Sequence, residues 1–82
     1  MYHMKPEELK EVINGAFKRY GYNIKIQLTM DDGEKREFYP EYTEHTIIGN
    51  VLFLRKRALD MFLEINAIQS VDIIKDDRNE GR

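Results

Sequence analysis

The side chains able to do chemistry are few, and their spacing limits what they can do. His3 and His45 stand far apart. Neither sits in a His-x-x-x-His or similar spacing that would bring two ligands to one face, so no metal site is expected, even with Glu44 beside His45. Asp31 and Asp32 are adjacent carboxylates, as acid–base catalysis can use. Gly33 follows them directly, however, and Asp-Asp-Gly is turn chemistry. Ser70 is the sole serine and has no neighbouring histidine. No glycine-rich phosphate loop is present. The expectation is a protein that is not an enzyme, with no catalytic residues and no cofactor.

Two clusters point to binding instead. Arg36-Glu37-Phe38-Tyr39-Pro40-Glu41-Tyr42 sets three aromatics and a proline among charges. Alternation allows only some of them to face a core. Phe38 is expected inside, and Tyr39 or Tyr42 outside. Tyrosine and arginine anchor interfaces because they bury much area at small entropic cost, so Arg36, Tyr39 and Tyr42 are the candidate partner-binding residues. Arg55-Lys56-Arg57 is the densest positive run, and Lys35-Arg36 precedes Phe38 and Tyr39. Loop cations that hold phosphates beside aromatics that stack bases would suit a single-stranded nucleic acid. Arg55, Lys56 and Arg57 are the residues for that alternative. Against it stand Asp60 and Glu64 nearby, and a whole-chain balance of 13 basic to 15 acidic residues, net -2. A general nucleic-acid binder carries a large positive excess.

The elements that must position these residues follow from periodicity. From Pro6, apolar residues fall at Leu9, Val12, Ile13, Ala16, Phe17 and Tyr20, the stripe of an amphipathic helix over 6–20. Pro6 suits the first helical position. Glu7 and Glu8 face the positive end of the helix dipole, Lys18 and Arg19 the negative end, and Gly21 is the stop residue. The period then becomes two: Ile24, Ile26, Leu28 and Met30 alternate with polar residues as a strand buried on one face would. Asp31-Asp32-Gly33 turns the chain, and Glu34 to Tyr39 returns antiparallel. Pro40 ends pairing because it has no N–H to donate. Glu41 to Thr46 reads as a polar connection or the far end of a bent strand.

Two readings compete for 51–65. As strands, 51–56 and 59–65 form a hairpin with Met61, Leu63 and Ile65 inward and Asp60 and Glu64 outward. As a second helix capped by Asn50, the segment puts Phe53 on the charged face and Arg55 on the apolar one. That mismatch favours strands, with Met61 and Phe53 in the core. Ala67 to Ser70 reads as a one-turn connection, and Val71, Ile73 and Ile74 as a last short strand. Lys75 to Arg82, without an apolar residue, is expected to be a mobile tail.

At 82 residues the chain has room for one domain, 1–74, with the helix at 6–20 and strands within 23–74. It contains no cysteine, so neither disulfides nor thiolate metal sites support the core. No apolar run approaches the roughly 20 residues that cross a bilayer, and Met1 to Glu8 lacks a signal-like apolar segment. A cytoplasmic location is expected, with no membrane partner. The fold class expected is mostly β with one N-terminal α-helix: a small five-stranded Sm/SH3-like barrel, whose closure removes exposed sheet edges. The alternative is α+β with 51–65 helical.

The stretch Glu7–Ile74 resembles the YolD-like family of small bacterial proteins. The likeness lies in E-E-L-K-E-V-I-N-G-A leading into I-K-I-Q-L-T-M-D-D-G, and in the closing A-I-Q-S-V-D-I-I. The end is also similar to WYL domains, through Phe62, Leu63 and Ile68. The aromatic–tyrosine–leucine signature of WYL domains and the second, glycine-containing Sm motif are not present. The resemblance implies an accessory protein associated with DNA-damage tolerance and mobile elements. The function expected is thus a non-enzymatic accessory or regulatory protein of a phage or mobile element, acting by protein–protein binding. Its partner is another protein, or a second copy that pairs along a free edge to give a homodimer.

Overall fold

A computed structural model describes residues 3–75 of the chain. Helix α1, Pro6–Tyr20, begins where the backbone N–H of Lys5 donates to the Glu8 carboxylate at 3.2 Å. Pro6 opens the first turn, where an N–H would have no partner within the helix. The helix ends at Gly21, whose φ of 74° favours glycine and whose N–H donates to the Phe17 carbonyl at 2.8 Å. The buried stripe is narrower than the periodicity predicts. Leu9, Ile13 and Ala16 are buried and Phe17 is half-buried, whereas Val12 and Tyr20 are exposed. The apolar arc is wider than the surface it packs on.

Six strands follow: β1 Ile24–Met30, β2 Lys35–Phe38, β3 Glu44–Ile48, β4 Val51–Lys56, β5 Leu59–Glu64 and β6 Ile68–Lys75. They form two antiparallel three-stranded sheets, ordered β2-β1-β6 and β3-β4-β5. The expected five strands become six because the chain breaks between β2 and β3. There the N–H groups of Tyr42 and Thr43 both donate to the Tyr39 carbonyl at 2.9 Å, making a tight turn just after Pro40. The stretch Glu41 to Thr46, expected as a polar connection or the far end of a bent strand, therefore leads into a strand of its own, β3, which belongs to the other sheet.

Residues 51–65 do not form a helix. They form the β4–β5 hairpin, with Leu52 opposite Leu63, Phe53 opposite Phe62 and Arg55 opposite Asp60. The one-turn connection also lies earlier than expected. A 3-10 turn at Ile65–Ala67 is closed by the Ile68 N–H on the Ile65 carbonyl, and β6 starts at once. Ile68 then pairs with Met30 past a bulge in β1. Lys75 pairs with Ile24, so it closes β6 and is not tail. The rest of the expected tail, 76–82, lies outside the described residues.

Both sheets and the helix share one core. The first sheet supplies Ile24, Ile26, Leu28, Phe38 and Ile68, and the second Leu52, Leu54 and Leu63, with Ile65 between them. Burying each such side chain contributes about 1.5–3 kcal/mol. A polar clamp ties the N-terminal stretch to the 3-10 turn and to the β3–β4 turn. The Asn50 amide donates to the Asn66 amide oxygen, Asn66 Nδ2 donates to the Met4 carbonyl at 3.1 Å, and the Ile65 N–H donates to the Asn50 carbonyl at 2.9 Å. Among the described residues no helix is long and apolar enough to cross a membrane.

Candidate partner-binding surface

Cross-strand register lays the outer face of the second sheet out as a grid. Thr46, Phe53 and Phe62 form its middle row, Ile48, Val51 and Glu64 one flanking row, and Glu44, Arg55 and Asp60 the other. The Phe53 and Phe62 rings lie 5.0 Å apart, and Phe62 and Ile48 are 66% and 62% exposed. The expectation that Phe53 and Met61 are core is overturned. Phe53 lies on the outer face and is only half-buried, and Met61, although directed inward, is 45% exposed.

The reason is the position of β5. It is the end strand of its sheet, with β4 as its only strand neighbour among the described residues. The inner face of β5 meets the core only at Leu63, so Leu59 and Met61 stay in water although alternation directs them inward. Five of its six residues are exposed, with Phe62 on the outer face and Leu59 and Met61 on the inner. Leu59 is 78% exposed. On the inner side, Leu59 and Met61 join Phe38 and Leu54 in a mostly apolar cleft of about 190 Å³, rimmed by Glu37, Lys56, Asp60 and Thr43.

The aromatic cluster singled out in the sequence borders this cleft. Phe38 and Thr43 line it, and Tyr39 and Tyr42 lie in the turn between them, their rings edge to face at 6.5 Å. Tyr42 is about half exposed and Tyr39 is half-buried. Arg36 sits on β2, opposite Leu28, with its guanidinium 2.7 Å from Glu34. The structure thus brings Tyr39 and Tyr42 together and engages Arg36 with its own turn. Ile48, Leu59 and Phe62 were missed by the sequence reading. Their signal is an apolar strand beside a two-residue turn, which alternation alone assigns half to the core.

The basic cluster is divided by the hairpin. Arg55 Nε and Nη2 donate to the Asp60 carboxylate at 2.6 and 3.2 Å, and the guanidinium lies 5.4 Å from the centre of the Phe53 ring. Hydrogen bonding by Arg55 holds the Asp60 carboxyl below its usual range, and the same contact raises Arg55. Lys56 ends β4, and Arg57 occupies the turn. The histidines are not brought together. His45 lies between the rings of Phe17 and Phe38, and His3 Nδ1 is 3.4 Å from the Asn66 carbonyl. Asp32 acts within its turn, where Oδ1 accepts from the Glu34 N–H at 2.9 Å. Compared with known proteins, the chain matches no family model, no curated protein and no solved structure.

Proposed function

We propose that this protein is a non-enzymatic accessory or regulatory module that works by binding another protein, and that β5 is its docking strand. One observation carries the reading. A strand with four large apolar side chains leaves three of them, Leu59, Met61 and Phe62, in water and buries only Leu63. Exposed apolar surface of this kind on a small protein marks an interaction site. The outer face and the cleft meet at β5, and Tyr39 and Tyr42 extend the surface past the cleft. The aromatics supply the side-chain type that anchors interfaces.

The two sheets are read here as the halves of an Sm/SH3-like barrel that stays open along β5. In support, the chain passes from one sheet to the other through the short β2–β3 turn and through the single 3-10 turn before β6. With that architecture goes the YolD-like likeness of Glu7–Ile74 and the accessory role it implies. Nucleic-acid binding has less support, because Arg55 is engaged with Asp60 and the run offers Lys56 and Arg57 beside a chain that is acidic overall.

The test is affinity capture with the native protein and with a Leu59→Lys, Phe62→Lys double variant, read against matched circular dichroism and melting curves. The variant is expected to keep its fold, since neither side chain is in the core, and to lose the native protein's specific partner. Capture of the same partner by a folded variant would refute the docking strand.

A further inference from the structure

A strand with one free edge presents backbone N–H and C=O groups to any chain that lies alongside it, and the side chains of β5 limit which chain that can be. On the cleft side they are apolar, Leu59 and Met61. On the outer side they run Asp60, Phe62, Glu64, so two carboxylates flank a ring. A third, Glu44, stands across the sheet in the Asp60 row. Among the described residues, the single cation on this face, Arg55, is committed to Asp60.

The same strand of a second copy fits poorly. Antiparallel pairing of β5 with itself must keep each face matched, which leaves few registers. Centred on Phe62, Asp60 meets Glu64 of the copy; centred on Met61, Asp60 meets Phe62. Centred on Asp60, two aspartates meet, and centred on Leu63, Phe62 meets Glu64. Like charges directly opposite are destabilising, and no register gives either carboxylate a cation. The chain's own residues 76–82 contain no apolar side chain to lie against Leu59 and Met61.

We infer that β5 accepts, along its free edge, an extended segment of a partner protein with Lys or Arg opposite Asp60 and Glu64 and apolar residues opposite Leu59 and Met61. This rests on β5 being the docking strand and names the chemistry of what docks. Backbone bonds to the edge supply attachment, and alternate side chains supply selection. The inward residues of the segment enter the cleft beside Phe38 and Leu54. A carboxylate has about four acceptor positions, so Asp60 can receive a second cation while it holds Arg55.

The probe is a labelled peptide with the core Lys-Val-Thr-Val-Lys-Val, flanked by Gly and Ser, beside the same peptide with both lysines changed to Glu. A third version has Pro at the central Thr. Binding is read by fluorescence anisotropy, and its place by amide hydrogen exchange of the full chain. The lysine peptide is expected to bind about tenfold or more tighter than the glutamate one, to protect β5 amides, and to fail with the central Pro. In a Glu64→Lys variant the charge preference should shrink or reverse. Equal binding of the two charged peptides, undiminished binding of the proline version, no binding at all, or a dimer that buries β5 would each overturn the inference. The docking strand itself is judged separately, by capture with the Leu59→Lys, Phe62→Lys variant, so the two can fail independently.

Discussion

Asp60 shows how one side chain can serve both the fold and the surface. Its carboxylate is aligned by Arg55 across the hairpin, and the hydrogen bond holds its pKa below the ordinary aspartate range. A depressed carboxylate stabilises the folded state above the unfolded pKa, and that contribution is lost as pH falls through the depressed value. The pair is exposed, so water and salt screen it. Glu37 behaves alike, lowered first by its hydrogen bond to Lys25 and then by that to Gln27. Melting temperature should therefore fall with acid below about pH 4, and an Asp60→Asn variant should lose part of that slope and keep the part due to Glu37. Identical acid slopes in the two proteins would show that the Arg55 contact contributes nothing to stability. The opposition of Arg55 and Asp60 was readable once 51–65 was taken as a hairpin, because charges on a tight hairpin face one another. The engagement of Arg36 with Glu34, two residues away, was not readable, since it depends on how the turn directs both side chains.

At the scale of the element, the two hairpin turns of the second sheet form a natural pair. Gly49-Asn50 and Arg57-Ala58 are both two-residue connections with positive φ at the first residue, 58° and 60°. Glycine adopts that conformation freely, whereas a residue with a Cβ is strained there. Arg57→Gly should accordingly stabilise the protein by about 0.5–1 kcal/mol, the relief of strain outweighing glycine's greater chain entropy. Urea unfolding measures this, and a lower midpoint would mean that the Arg57 side chain makes a contribution larger than the strain. Strand β1 was legible in full because both its neighbours cover it and its inner side chains are aliphatic. Strand β3 was not, since it directs His45 inward where an aliphatic residue would have completed the pattern, so Glu44 to Ile48 reads as half polar. Strand β5 misled for the opposite reason, its apolar residues suggesting a burial that the core gives only to Leu63.

Taken whole, the molecule depends on a core to which every layer contributes. Net stability for 82 residues is of the order of 4–12 kcal/mol. Leu9 joins α1 to both sheets' core and is fully buried, and truncating such a side chain costs about 2–5 kcal/mol. Leu9→Ala should lower the denaturation midpoint steeply, with helical and strand signals lost together. A small shift, or helix loss that precedes strand loss, would show that α1 is an appendage and not part of one cooperative unit. The Asn50–Asn66–Met4 clamp works at this scale too, tying the N-terminal stretch to the 3-10 turn. Nothing in the spacing of two asparagines announces it.

The sequence alone determined what local physics controls. It placed a helix opened by proline and stopped by glycine, an aliphatic strand of period two and an aspartate–glycine turn, and it favoured a hairpin over a second helix at 51–65 without deciding between them. Tertiary structure decided which strands have two neighbours and which have one. It also decided how far the core reaches, which left Leu59, Met61 and Phe62 in water, put Glu44–Ile48 into the second sheet, and set Tyr39 and Tyr42 beside a cleft. The physical reason is that burial belongs to the assembled layers: a side chain's alternation gives the face it occupies, but only the packing of helix and sheets determines whether anything covers that face.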